Sequence, residues 1–171
     1  MIFIGIDPGA KGAIAAWDGG KRMTVVDMPS QQIQVGRAVK YRVDARALFD
    51  LLPSMANGEP AFVALERVGG MPGQSAASTF TFGFSAALAY AAIVIAKMPM
   101  THPTPQTWKK RLGVPGKKDA GFQGNIARMA GERFPEHAHL WATATRLDRA
   151  EAALLALYAS IVYKEGGAVD E

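Results

Sequence analysis

The chain contains no cysteine among its 171 residues. That excludes a disulfide framework and any thiolate metal site, and it fits a reducing compartment. A bound metal would have to be held by carboxylates and by some of three histidines. His102, His137 and His139 are scattered through proline-rich or helix-end segments and read as surface residues. No basic leader precedes the first apolar run, so export is not expected. No internal repeat, low-complexity tract or linker divides the sequence, and one domain spanning residues 1–171 is the simplest organisation. Neither charge sign dominates. Nineteen basic against 15 acidic residues give a net charge of +4 and a pI near 9.5, a moderate excess that favours an acidic partner such as nucleic acid. One stretch lacks charge altogether. Between Arg67 and Lys97 every residue is neutral, and Phe80 to Ala96 approaches the length of a bilayer span. Thr81, Gly83, Ser85 and Tyr90 within it, the glycine-rich lead-in at 69–73, and the lack of a basic cluster on one flank argue against a membrane. A helix apolar on all sides reads better as buried, under a sheet or in a subunit interface.

What is present is a strand that ends in an acid. Ile2 to Asp7 is an apolar strand broken at once by Pro8-Gly9, so Asp7 is presented at its end. An ordinary turn-initiating Asp explains this residue equally well by itself. Ala13 to Trp17 and Met23 to Met28 continue a meander through the turn Asp18-Gly19-Gly20. After a segment without a clear pattern, Asp44 caps a helix through Ala45, Leu48, Leu51 and Leu52, with Pro53 near its end. Ala61 to Glu66 repeats the arrangement of an apolar strand and then a carboxylate. The uncharged helix follows, then a short strand at Met98 to Thr101, a proline-punctuated segment carrying Trp108, and helices from about Gly121 to Phe134 and from about Arg146 to Tyr163.

The last helix brings two more acids. Asp148 and Glu151, three residues apart, share a helix face, where like charges repel and a cation would relieve them. A solvated first turn favoured by the helix dipole is the plainer account of that pair. Four acids at two strand ends and one helix start are another matter, because an α/β fold can gather such termini. Hard oxygen ligands suit Mg²⁺, with Mn²⁺ as a substitute.

The order of elements and these acids resemble the RuvC family of Holliday junction resolvases, within the ribonuclease H-like superfamily. The resemblance rests on Gly5-Ile6-Asp7-Pro8-Gly9 with Gly12, Ala64-Leu65-Glu66, Pro105-Gln106-Thr107-Trp108-Lys109-Lys110, and Asp148-Arg149-Ala150-Glu151-Ala152, and it runs over nearly the whole chain. It implies an α/β fold with a mixed five-stranded sheet flanked by helices. It further implies a homodimeric, Mg²⁺-dependent endonuclease that nicks two strands of a four-way DNA junction, and Asp7, Glu66, Asp148 and Glu151 as its metal ligands. The expected location is the bacterial cytoplasm, whether the gene is a host's or a phage's. Two positions depart from the family pattern. The final acid, often Asp, is Glu151, and Arg67-Val68-Gly69-Gly70-Met71 stands where an aromatic residue often follows the second acid.

Phosphodiester hydrolysis needs an activated water and neutralisation of charge at the phosphate, which two divalent ions about 4 Å apart supply. On that hypothesis Asp7 would bridge the ions, Glu66 would hold one, and Asp148 with Glu151 would hold the other. DNA contacts are expected from Trp108, Lys109, Lys110, Arg111, Lys117 and Lys118, the densest basic stretch, together with Arg67 and Met71. Lys118 is also expected to stabilise charge at the scissile phosphate. A solvated helix face with Trp108 in the core is the structural alternative. The opening motif also resembles the phosphate loop of actin-like ATPases, but 171 residues leave no room for their second domain. A ribonuclease H-like nuclease acting on other branched DNA or on RNA, and a non-catalytic junction-binding protein, remain as alternatives, since fold alone does not choose a substrate.

Overall fold

The computed structural model describes residues 1–70, 73–114, 122–143 and 146–167, with backbone only at 122–124. Its centre is β1 (Ile2–Asp7), buried along its whole length. On one side β1 pairs antiparallel with β2 (Ala13–Trp17), which pairs antiparallel with β3 (Met23–Asp27). On the other it pairs parallel with β6 (Ala61–Leu65), which pairs parallel with a two-residue β7 (Met100–Thr101). The result is the expected mixed sheet of five strands, in the order β3-β2-β1-β6-β7. A parallel strand at the centre of a sheet is covered on both faces, which is why its sequence is almost continuously apolar.

Alternation along the strands sorts the two faces. Ile2, Ile4 and Ile6 of β1, with Val63 and Leu65 of β6, face α1 (Ala45–Ala56) and α2 (Ala76–Ile95) through Leu48, Leu52, Ala89 and Ile93. Phe3 and Phe62 face the other layer, built from α3 (Pro105–Leu112), α4 (Phe122–Arg133), a 3₁₀ turn (Pro135–Trp141) and α5 (Leu147–Lys164). By the same alternation Asp7 and Glu66 belong to the α5 side, and the pairing of Ile6 with Leu65 sets them on adjacent strands at the same end of the sheet.

Gly5 fixes how closely α5 approaches. A Cβ at this position would lie 2.1 Å from the Ala152 carbonyl oxygen and 2.3 Å from the Ala156 nitrogen, so backbone packs on backbone. Ala152, Ala153, Ala156 and Ala159 supply a helix surface small enough for this contact, and all four are fully buried.

Three features differ from expectation. Residues 29–43, which carry no clear pattern in the sequence, form an antiparallel hairpin, β4 (Ser30–Val35) and β5 (Ala38–Val43), turning at Gly36 with φ 59°. Pro53 lies inside α1, whose end comes at Asn57 in the left-handed conformation, φ 49°. α2 starts earlier than its apolar run suggests, at a Ser75 cap. The described residues cover only one side of it: Ser85, Ala86, Ala89, Ala92 and Ile93 are buried, whereas Phe80 is 75% and Ile95 63% exposed. By length and composition α2 is apolar enough to cross a membrane.

Candidate metal centre

The carboxylates of Asp7, Asp148 and Glu151 converge, with one ligand atom of each within 4.8 Å of the others. Three elements produce this. β1 ends at Asp7, α5 carries Asp148 in its first turn and Glu151 three residues on along the same face, and the Gly5 contact draws the start of α5 down onto the strand end. Gly12 tightens the same corner. A Cβ there would be 2.2 Å from the Asp7 carbonyl oxygen, and the Gly12 N–H donates to Gly9 at 2.8 Å.

Burial pushes the Asp7 carboxyl well above its usual range, and the charges of Glu151, Glu66 and Asp148 push it further. Asp148 is raised too, by burial first and then by Glu151 and Asp27, with Lys11 opposing. Mutually repelling carboxylates at a buried strand end are what a divalent cation relieves, and an all-oxygen donor set suits a hard ion. The residues present therefore fit such a metal.

Glu66 sits beside this group, close enough to raise Asp7, and is itself buried. Its Oε1 accepts a 2.8 Å hydrogen bond from the Trp108 indole N–H. This corrects the expectation that Trp108 touches DNA. The side chain is fully buried on the inward face of α3 with Leu112, so it orients Glu66 instead. Lys109 likewise points into the centre, where its Nζ lies 2.6 Å from Glu151 Oε1 and 4.9 Å from the centroid of the Trp108 ring. Lys110 is exposed and Arg111 is paired with Glu165, the residue that caps the end of α5. Arg67 is exposed just beyond Glu66. Met71, Lys117 and Lys118 lie outside the described residues.

Other contributors carry little signal in the sequence. Arg149, between the two α5 acids, grips Asp27 of β3 through two bonds of 2.5 and 2.6 Å, tying the start of α5 to the sheet and holding the Asp27 carboxyl below its usual range. Lys11 lies in the β1–β2 turn and lines a depression with Asp148, Asp27, Arg146, Arg149 and Tyr41. Its position four residues after Asp7 is the one hint available in advance. His102 is half-buried against Tyr90 rather than on the surface, and His137 bonds the Lys21 carbonyl at 2.9 Å.

No protein-family model and no curated protein matches this sequence. Solved structures do match. A structure of Thermus thermophilus RuvC aligns over 99% of this chain and 99% of its own, with a TM-score of 0.59 at 17% identity. T. thermophilus RuvC in complex with a Holliday junction substrate aligns over 97% of this chain and 96% of its own, with a TM-score of 0.63, also at 17% identity. The yeast mitochondrial Holliday junction resolvase Ydc2 aligns over 90% of this chain and 75% of its own, with a TM-score of 0.50 at 15% identity. The fold is that of these RuvC structures.

Proposed function

We propose that this protein is a metal-dependent endonuclease that resolves four-way DNA junctions, acting as a homodimer. The observation that carries the reading is the convergence of Asp7, Asp148 and Glu151, with Glu66 beside them, on a fold shared along nearly its whole length with a resolvase solved on junction DNA. Asp7, Glu66, Asp148 and Glu151 would hold Mg²⁺, with Mn²⁺ as a substitute. When bound, the metal makes a water nucleophilic at neutral pH and offsets charge at the phosphate. The chain's own residues set the stage. Trp108 fixes the rotamer of Glu66, Arg149 anchors the helix that carries two of the acids, and Lys109 keeps a positive charge among the carboxylates. Lys110 and Arg67, exposed on either side, are available to phosphate oxygens.

Dimerisation is supported by the uncovered face of α2. Phe80, Phe84, Ala87, Ala91 and Val94 follow one another at alternating steps of four and three residues, the spacing of a helix–helix seam, and lie opposite the face packed on the sheet. A second copy would bury this stripe and place two carboxylate centres related by a two-fold axis, which suits two strands of a symmetric junction.

The test is cleavage of four-way, three-way, flap and RNA-containing duplex substrates with Mg²⁺, by wild type and by Asp7→Asn. Paired nicks in the four-way substrate, lost in the variant, are expected. Preferential cleavage of the RNA-containing duplex, or equal rates from the variant, would overturn the reading.

A further inference from the structure

The β4–β5 hairpin is the part of the molecule that the carboxylate centre leaves unused. From Ser30 to Val43 it has no Asp or Glu and three cations, Arg37, Lys40 and Arg42, all exposed. None of the three forms an ion pair among the described residues, whereas Arg22, Arg46, Arg111, Arg128 and Arg149 each face a carboxylate. Lys40 and Arg42 share one face of β5, about 6.6 Å apart along the strand. Opposite them on β4 stand Ile33 and Gln31, which neutralise nothing.

The hairpin has a firm foot. The Asp44 N–H donates to Pro29 at 2.8 Å, the Ser30 hydroxyl donates to the Ala10 carbonyl at 2.7 Å, and Met28 and Val43 are buried beneath. Tyr41, on the other face of β5, sits under the Lys11 ammonium at 5.2 Å and shares a depression with Asp148. A second depression continues from Lys11 and Tyr41 past Val39 to Ser78 and Thr81 on α2. A trough therefore leads from the carboxylates along the hairpin. Six-residue strands reach about 20 Å, more than half of the roughly 34 Å turn of duplex DNA.

The geometry points to the hairpin as a two-faced DNA-arm clamp: Lys40 and Arg42 on one face of β5, with Arg37 at the turn, grip backbone phosphates of a duplex arm, and Tyr41 with Lys11 on the other face holds the strand where it enters the trough. The inference rests on the nuclease reading for its substrate. Phosphate contacts of this kind position the arm without reading its sequence.

The experiment compares Lys40→Gln/Arg42→Gln with Lys21→Gln/Lys164→Gln, which removes the same charge from exposed residues at the opposite end of the sheet. Affinity for a fluorescent four-way junction and for a linear duplex is measured without metal over a range of salt concentrations. The hairpin variant is expected to bind both about 10-fold or more weakly at low salt, with the magnitude of its log–log salt slope lower by about 1.8, while the control keeps the wild-type slope. Tyr41→Ala should lower cleavage further than Tyr41→Phe. A hairpin variant with wild-type affinity and slope overturns the clamp, as does a wild type that binds no DNA. A wild type that binds but does not cleave overturns the nuclease reading instead, and the salt slope still decides the hairpin.

Discussion

α2 and α5 are alanine-rich helices of similar length, 20 and 18 residues. α2 has no charged residue, yet one side of it is bare. α5 carries Asp148, Arg149, Glu151 and Lys164, yet from Ala150 to Ser160 it is almost wholly buried. The difference lies in what each meets. α5 lies on β1 at Gly5, where no side chain intervenes, and its charges are confined to its ends, where Lys109 and Asp27 answer two of them. α2 presents two apolar faces, and the chain fills only one. Average hydropathy cannot tell a helix packed on every side from one with a bare face; the contacts along each face can.

The widest expected gap between the helices is chemical. Asp148→Asn, in the first turn of α5, should lower Mg²⁺-supported cleavage by about 10²–10³-fold, with an unchanged circular dichroism spectrum. A single-turnover assay checks this, and a loss below 10-fold would remove Asp148 from the metal set. Next is packing. Gly5→Ala forces a methyl group to within about 2 Å of α5 backbone, and helix and strand must separate. We expect a loss of about 3 kcal/mol, read as a fall of about 6–12 °C in Tm.

The α2 side of the comparison concerns association. Phe84→Ser with Val94→Ser removes two exposed apolar side chains, 44% and 52% accessible in the single chain, so Tm of the monomer should barely move. A dimer sealed by this face would lose about 2 kcal/mol or more, a 30-fold weaker Kd. Light scattering at micromolar concentration should then report a monomer, and junctions should be nicked once rather than twice. A wild type that is already monomeric would refute the seam.

Much of this was legible in the residues because strands and helices repeat on short periods. Period two puts Asp7 and Glu66 on the same side of their strands as Phe3 and Phe62, and a three-residue step puts Asp148 and Glu151 on one helix face. Trp108 was misread because a basic neighbourhood masks helical spacing; Trp108 and Leu112, four apart, mark the inward face of α3. The hairpin left no trace, since neither of its faces is buried enough to impose alternation and Gln31, Gln32 and Gln34 break any pattern. The Arg149–Asp27 clamp joins residues 122 positions apart, a distance no local pattern spans.

The smallest effect separates the helices by pH. Asp7 is raised by burial and by the carboxylates of α5 and of Glu66, just past β6, whereas α2 brings no charge to it. A carboxyl whose pKa is higher folded than unfolded holds its proton longer in the folded state. Below the unfolded value, about 3.9, both states are protonated and Asp7 costs nothing. As pH rises through that value the unfolded chain ionises first, and stability of the metal-free protein falls until the folded carboxyl ionises too. Asp148, raised in the same direction, adds to the fall. Asp7→Asn removes the Asp7 share. In EDTA its Tm should match wild type at acid pH and exceed it at neutral pH, a gain in stability from a variant expected to lose cleavage. Phe84→Ser should leave the pH profile of wild type unchanged in shape. If Asp7→Asn does the same, the carboxylates are not crowded in solution, and the pull of Gly5 on α5 is weaker than its backbone contacts imply.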